Sequence, residues 1–499
     1  MKKYLSLIAL LSLPSVAEPW VDTSNIFLRA QIQYLSDVGI IKTPTTTYPL
    51  MWGDIAKNLN NVSYRSLNES SENAYHYVMN QLRLAKRNQK TIELNASLED
   101  KRFTSFGDDF RDKNNITIHT TWMTDSFAVK LSTSYNPSPI DGDKVRYDGS
   151  YLAGYIGNWV VSVGMQDRWW GPGWDSSLAL SNNARPIPAL ALSRKSAEPF
   201  VIPFTDYGIP WTVTSFMGVM DDERVIEDTL LWGFRLNFKP FENLEIGISR
   251  LAQWSGEGRP QGSSTFWNVL LGKDNCGAGG LDCGENRELE PGNQQAGYDL
   301  RYSFNLFDTP LSLYGQYYAE DGDNNSSFGF LTEPVTLVGI DSHIRPFNKP
   351  TTVYFEFTDT FADCSDGDLF DNGNCFNEHH IYQTGMRYNL RAIGNIYDND
   401  AKALVLGSMS ELGKDTHLEL KLRKLQLNYD NSDKAPNNPI IGNPLTPIAE
   451  DMVMLSAKVQ HSYKNWRFTV GSSYSQSSFD NDIKDDTDFN GYLNIEYNL

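Results

Sequence analysis

From about Thr91 to the last residue, apolar side chains return at every second position, and this period constrains the chain more than any other feature. Ile92, Leu94, Ala96 and Leu98 alternate with polar residues, as do Leu230, Trp232, Phe234, Leu236 and Phe238, and later Val453, Leu455, Ala457 and Val459. Period two belongs to a β-strand, whose successive side chains leave on opposite faces. One face of strand after strand is aliphatic and aromatic, whereas a soluble sandwich would turn polar residues outward. Aromatics also gather near the strand ends, where a membrane barrel carries its interfacial girdles. The pattern therefore predicts an all-β membrane protein, a transmembrane antiparallel β-barrel. The 40% hydrophobic and 21% charged content is then an average over two opposed faces. A helical membrane protein is excluded, because no run after the N-terminus approaches the ~20 apolar residues of a spanning helix. The chain closes on Phe489, Leu493, Ile495, Tyr497 and Leu499, an amphipathic terminal strand broken only by Gly491.

Connector lengths supply an orientation. Short turns at Thr124 to Ser126, Gly157-Asn158, Pro240 to Asn243, Phe307 to Pro310 and Arg345 to Pro350 alternate with long polar loops. The long loops are Glu99 to Asn114, Asn136 to Asp148, Ser255 to Ala296, Glu320 to Glu333 and Phe361 to Glu378. Outer-membrane barrels keep short turns in the periplasm and long loops outside the cell. Taking Pro188 to Arg194 as a strand preserves this alternation up to about Tyr388. It gives roughly nineteen segments, although a bacterial single-chain barrel should have an even number. The surplus lies after Asn377, or Pro188 to Arg194 does not span.

The N-terminus reads differently. Lys2 and Lys3, the apolar stretch Tyr4 to Leu13 and the small residues Ser15-Val16-Ala17 form a secretory signal peptide over residues 1–17, with maturation expected at Glu18. Residues 18–90 have helical spacing and predict a small periplasmic helical bundle ahead of the barrel at 91–499. Phe27, Gln31, Leu35 and Val38 precede the stop Gly39, a short helix fits Trp52 to Leu59, and a third runs from about Ser71 to Arg87. Removing the signal leaves 41 basic residues against 62 acidic ones, a formal charge of −21. Nucleic acid is excluded as a partner on that balance, since a polyanion is bound mainly through Lys and Arg. Export also suits the cysteines. Cys276 and Cys283 share one long loop, Cys364 and Cys375 another, and local closure of each pair is the simplest of the three possible pairings.

One segment breaks the alternation. Gln166 to Ile187 contains Asp167-Arg168-Trp169-Trp170-Gly171-Pro172-Gly173-Trp174 and continues to Ser181-Asn182-Asn183-Ala184-Arg185-Pro186. Charge on the lipid face costs ~2–4 kcal/mol near the midplane, so the segment must enter the lumen or cover the rim. Arg168, Trp169, Trp170, Trp174 and Arg185 are candidates for either of two roles. Indole faces stack on the C–H faces of pyranose rings while Arg, Asp and Asn bond hydroxyls or acidic sugars. Alternatively the segment is a structural plug, its Arg and Asp paired with each other inside the lumen. An internal motif is a poor place to encode recognition of variable polymers, for which the loops Ser255 to Ala296 and Phe361 to Glu378 are better placed.

This segment closely resembles the Wzi family of outer-membrane capsule assembly proteins. Arg391-Ala392-Ile393-Gly394, Asp398-Asn399-Asp400, the helical N-terminus and the overall length extend the resemblance. It implies about eighteen strands, a helical bundle at the periplasmic end, and a lectin-like role in holding exported capsular or related polysaccharide on the cell surface. The implied partners are that polysaccharide, outer-membrane lipid with lipopolysaccharide, and the barrel-insertion machinery. The two cysteine-bearing loops and a terminal Leu depart from the family pattern.

No catalytic site, metal site or cofactor is expected. There is no G-x-S-x-G elbow, H-E-x-x-H pair or Walker loop. His379 and His380, read as strand neighbours, would point to opposite faces and share a metal poorly. Carboxylate clusters such as Asp221, Asp222 and Glu223 are common in acidic loops. Two rival functions remain at this point: a porin or substrate-specific channel, and an outer-membrane enzyme acting on glycan or lipid.

Overall fold

The computed structural model describes residues 18–87, 89–108, 110–273, 289–307, 309–320, 334–362, 376–433, 435–480 and 485–499. The signal segment and all four cysteines, Cys276, Cys283, Cys364 and Cys375, lie outside the described residues.

Eighteen antiparallel strands close into a barrel. In chain order they are β1 Lys90–Ser97, β2 Asn114–Met123, β3 Phe127–Tyr135, β4 Tyr151–Ile156, β5 Trp159–Met165 and β6 Pro188–Arg194. Next come β7 Trp211–Met220, β8 Thr229–Phe241, β9 Leu244–Trp254, β10 Gly292–Leu306, β11 Thr309–Ala319 and β12 Val335–Ile344. The last six are β13 Thr351–Asp359, β14 Ala401–Gly413, β15 Thr416–Leu427, β16 Glu450–Tyr463, β17 Trp466–Phe479 and β18 Asp486–Asn498. Each strand pairs with its sequence neighbours, and β18 closes on β1 through Leu493↔Ala96 and Ile495↔Leu94. A two-residue strand, Val145–Arg146, is appended to the end of β3. Pro188–Arg194 belongs to the wall, between β5 and β7. The surplus segment of the sequence count therefore lies after Asn377. There Arg387–Tyr388 pairs with Arg391–Ala392 in a small turn away from the wall.

The alternation separates the two faces sharply. Ile118 and Leu406 are each 55% exposed and Val470 56%, whereas their inward counterparts Arg235 and Glu356 are 0% exposed. The apolar surface faces outward and the charge is held by the protein's own interior. Trp466, Tyr463, Phe307 and Phe347 are exposed at the short-turn end, where an aromatic girdle is expected. A fourth helix in the β9–β10 loop, Ser263–Leu270, packs Phe266, Val269 and Leu270 against outward Trp232 and Trp254. Arg250 donates to the carbonyls of Val269 and Leu270 at its C-terminal end, at 2.5 and 2.8 Å.

Three helices precede the barrel: α1 Ile26–Asp37, α2 Trp52–Asn60 and α3 Glu69–Ala85. Asn25 and Asn68 cap α1 and α3 by accepting the N–H of Leu28 and Ser71, at 3.0 and 2.9 Å. Gly39 ends α1 at φ +77°. Its N–H bonds the Ser36 carbonyl and that of Ile40 the Leu35 carbonyl, the paired bonds of a glycine-terminated helix. α1 enters the short-turn mouth of the barrel, and its buried face joins the same hydrophobic cluster as Trp169, Trp170, Trp174 and the wall residues Tyr314 and Tyr354.

Candidate functional site

The long β5–β6 connection folds back into the lumen instead of projecting from it. Trp169 and Trp170 pair antiparallel with Tyr48 and Thr47, so the segment meets the chain leading out of α1. Below this pairing, Arg29 of α1 donates to the carbonyls of Pro172 and Gly173 at 3.1 and 2.6 Å. Its guanidinium lies 4.6 Å from the ring centres of Phe106 and Trp174 and 5.3 Å from Trp169. Burial pushes the Arg29 pKa down to about 10, which leaves it charged at neutral pH, held by carbonyls and π faces.

The wall bolts the segment from the other side with charges placed between its outward apolar residues. Glu356, flanked on β13 by outward Phe355 and Phe357, accepts the N–H groups of Trp174 and Ser176 at 2.8 and 3.1 Å and the Tyr314 hydroxyl at 3.1 Å. Asp341 of β12 accepts the Trp174 indole N–H at 2.7 Å and is gripped by both terminal nitrogens of Arg301, at 2.6 and 2.8 Å. Arg301 continues to Asp37 at the end of α1, which His343 also meets at 3.1 Å. Asp175 of the segment reaches β15, where Arg423 holds it at 2.6 Å and Lys421 at 3.3 Å, with the Tyr397 hydroxyl also bonded. Burial works against the Asp175 charge, but Arg423 and Lys421 prevail and keep the carboxyl well below the usual carboxylate range.

Tyr314 and Tyr354 can lie along the wall because glycines sit beneath them. A Cβ on Gly339 would come 2.2 Å from the Tyr314 ring, and one on Gly407 2.1 Å from the Tyr354 ring. The β13–β14 loop completes the filling: Ile393 and Gly394 accept from Ser181, and Asn183 donates to Ala392 at 3.2 Å.

The five residues singled out from the sequence are thus gathered in or beside one buried body. Trp169 and Trp170 are 0% exposed and Trp174 1%, so no indole face is open to a saccharide. Arg168 is buried with its guanidinium 4.4 Å from the Phe216 ring centre and a bond to the Gln166 carbonyl at 3.1 Å. Arg185 sits nearer the long-loop end and spans Asp148, Asp141 and Asp143 at 2.8–3.0 Å. Arg29, Asp175, Asp341, Glu356 and Arg423 escape the sequence reading, yet the strand residues among them lie at alternating positions opposite the apolar phase. Asp222, from the acidic run, pairs with Arg224 at 3.0 Å. His379 and His380 lie in a turn, not a strand, which corrects the view that they face opposite ways: their ring centres are 4.4 Å apart and both approach Glu290. His379 Nδ1 accepts the N–H groups of Ile381 and Tyr382, at 3.1 and 3.3 Å, which directs its Nε2 proton to Glu290 at 3.2 Å.

Elsewhere the lumen is not filled. A cavity of about 300 Å³ lies between the β1–β2 loop and β15 to β18. Strand register sets its rungs: Lys421, Ser456, Ser473 and Asn490 on one, then Arg423, Met454, Ser475 and Asp488, then Ser477 and Asp486 toward the long-loop end.

Residues 83–490, wall and tryptophan segment together, match the capsule assembly protein Wzi family. The chain belongs to the Wzi family. A Klebsiella pneumoniae protein described as an uncharacterized 55.8 kDa protein in the cps region is 28% identical over 351 residues. That match covers 68% of this chain and 65% of the relative, so the chain spans somewhat less than two thirds of its length. The solved structure of Wzi from Escherichia coli aligns at a TM-score of 0.79 and 22% identity, covering 95% of this chain and 98% of that one. It is described as an outer membrane protein involved in group 1 capsule assembly and a carbohydrate-binding β-barrel. The shared fold is a closed barrel.

Proposed function

We propose that this protein holds capsular or related polysaccharide on the outer face of the outer membrane, as a non-enzymatic, carbohydrate-binding barrel whose lumen is closed. The observation that carries the reading is the family match over residues 83–490, which takes in the wall together with the tryptophan segment. The way that segment is held supports a holder over a conduit. Glu356, Asp341 and Asp175 each spend their hydrogen-bonding capacity on the segment or its wall partners, and α1 occupies the opposite mouth. On this reading Trp169, Trp170, Trp174, Arg168 and Arg185 serve as plug and brace, not as the sugar platform. The wall's remaining partners are lipid and lipopolysaccharide, and the barrel-insertion machinery delivers it.

Deleting the gene and measuring cell-bound against shed polymer tests the proposal. Shedding is the expected result, and a fully attached capsule with none in the medium overturns it. In planar bilayers the purified protein should give no steady large current; such a current would favour a channel.

A further inference from the structure

The cavity along β15 to β18 has a chemistry of its own. Inward Ser473, Ser475 and Ser477 follow one another along β17, with Ser456 beside them on β16. Among the described residues, no protein group partners their hydroxyls or the carboxylate of Asp488, and none of these atoms is sealed from the cavity. Each hydroxyl can both donate and accept, and the carboxylate can accept from a vicinal diol.

The cations of the lining are already engaged. Lys101 meets Asp108 at 2.8 Å, Arg102 meets Glu450, and Glu419 takes both Lys421 at 2.9 Å and Lys458 at 2.5 Å. Arg423 is bound to Asp175 at 2.6 Å. Asp486 and Asp488 at the open end add negative charge, and among the described residues neither forms an ion pair. An anionic sugar entering here would face those carboxylates and would have to take a cation from an existing buried pair, which is costly. An uncharged sugar requires no such exchange: it meets hydroxyls, carboxylate acceptors and the apolar surfaces of Met454 and Phe479, and leaves the paired cations where they are. The volume falls at the small end of the ~300–1,000 Å³ range of ligand clefts, enough for a short stretch of polymer.

We propose that the serine-lined groove between β15 and β18 is a saccharide subsite that takes uncharged pyranose units, with Ser473, Ser475, Ser477 and Asp488 as its hydrogen-bonding groups. The assignment rests on the polysaccharide reading above and names the part of the molecule that would meet the polymer. The full-length protein in detergent micelles is applied to an array of neutral and uronate-containing oligosaccharides, with Ser475→Trp filling the groove and Asp488→Asn removing one acceptor charge at nearly constant shape. Neutral glycans should bind in preference to uronates. Ser475→Trp should lose about tenfold or more in affinity, and Asp488→Asn several-fold, with the folded, heat-modifiable band retained by the Asp488→Asn protein. Unchanged neutral-glycan binding by Asp488→Asn and by folded Ser475→Trp overturns the proposal, as does preferential binding of uronates. If the native barrel binds no array glycan while deletion cells still shed polymer, the groove assignment fails and the retention reading stands. If the groove binds but deletion leaves the capsule attached, retention fails and the subsite stands.

Discussion

The two sides of the lumen are built by one strand pattern and end in opposite states. Along β8 to β13 the inward positions carry Arg235, Asp299, Arg301, Asp341 and Glu356, long or charged groups that reach the incoming segments or one another and are buried. Along β17 the same phase carries Ser473, Ser475 and Ser477, with Ser456 beside them on β16, all too short to meet anything across the barrel, and a cavity remains. Alternation decides which residues face inward. The length and charge of those residues decide whether the interior becomes core or site.

The largest expected effect comes from breaking the filled side. Trp169→Ala, Trp170→Ala and Trp174→Ala each remove a fully buried indole, at about 3–5 kcal/mol, and the triple variant should fail to give a folded, heat-modifiable band in membrane extracts. A well-folded triple variant with lost polymer retention would instead return these residues to the sugar-contacting role. Asp175→Ala leaves Arg423 and Lys421 facing each other without their shared carboxylate. A loss of about 3–5 kcal/mol is expected there, read as a lowered midpoint of thermal unfolding.

A smaller effect tests the glycine beneath Tyr314. Gly339→Ala pushes the ring from its bed and with it the hydroxyl that bonds Glu356. Overpacking of this kind costs about 1–3 kcal/mol, and the loss should appear in thermal unfolding while saccharide binding in the groove is unaltered.

Much of this contrast is legible in the amino-acid order itself, because period two names both faces at once: the residues between Phe234, Leu236 and Phe238 must point inward. Pairing across the lumen is not. Arg29 and Trp174 are joined only after α1 enters one mouth and the β5–β6 connection the other, and nothing in local spacing records that meeting. The Trp-Arg-Asp composition suits a sugar platform and a plug equally; the burial of the three indoles is what favours the proposed plug. The strand count runs one too high after Asn377, the stretch in which Arg387–Tyr388 and Arg391–Ala392 form a two-residue pair closed by a turn instead of crossing the wall. The histidine pair misleads for a related reason, since a turn frees neighbouring side chains from the opposite-face rule.

Protonation gives a milder probe. Burial, reinforced by a bond with Asp430, pushes the Asp400 pKa up to about 8, above the ~3.9 of an unperturbed aspartate. The folded state therefore holds a proton that the unfolded chain releases, and stability falls as pH rises from about 4 to about 8. Asp400→Asn should flatten that slope in thermal unfolding followed across this window. An unchanged slope would place the titration elsewhere. Asp175 works in the opposite sense: its lowered pKa contributes stability above the ordinary carboxylate range, lost only as pH falls through the depressed value, so Asp175→Asn should remove part of the acid limb of the same curve.

The smallest expected effect lies on the open side and bears most directly on the comparison. Ser473→Ala, Ser475→Ala and Ser477→Ala delete hydroxyls that have no protein partner among the described residues and already border a cavity. Removing such groups breaks no bond and leaves no buried atom unsatisfied, so each should change stability by no more than about 0.5 kcal/mol. If the triple variant unfolded as readily as the tryptophan variants, the groove would be structural core and the contrast would collapse. If it keeps its unfolding midpoint while glycan affinity drops, the hydroxyls are there for a ligand: three deletions on one side of the barrel would leave the fold untouched, and three on the other would abolish it.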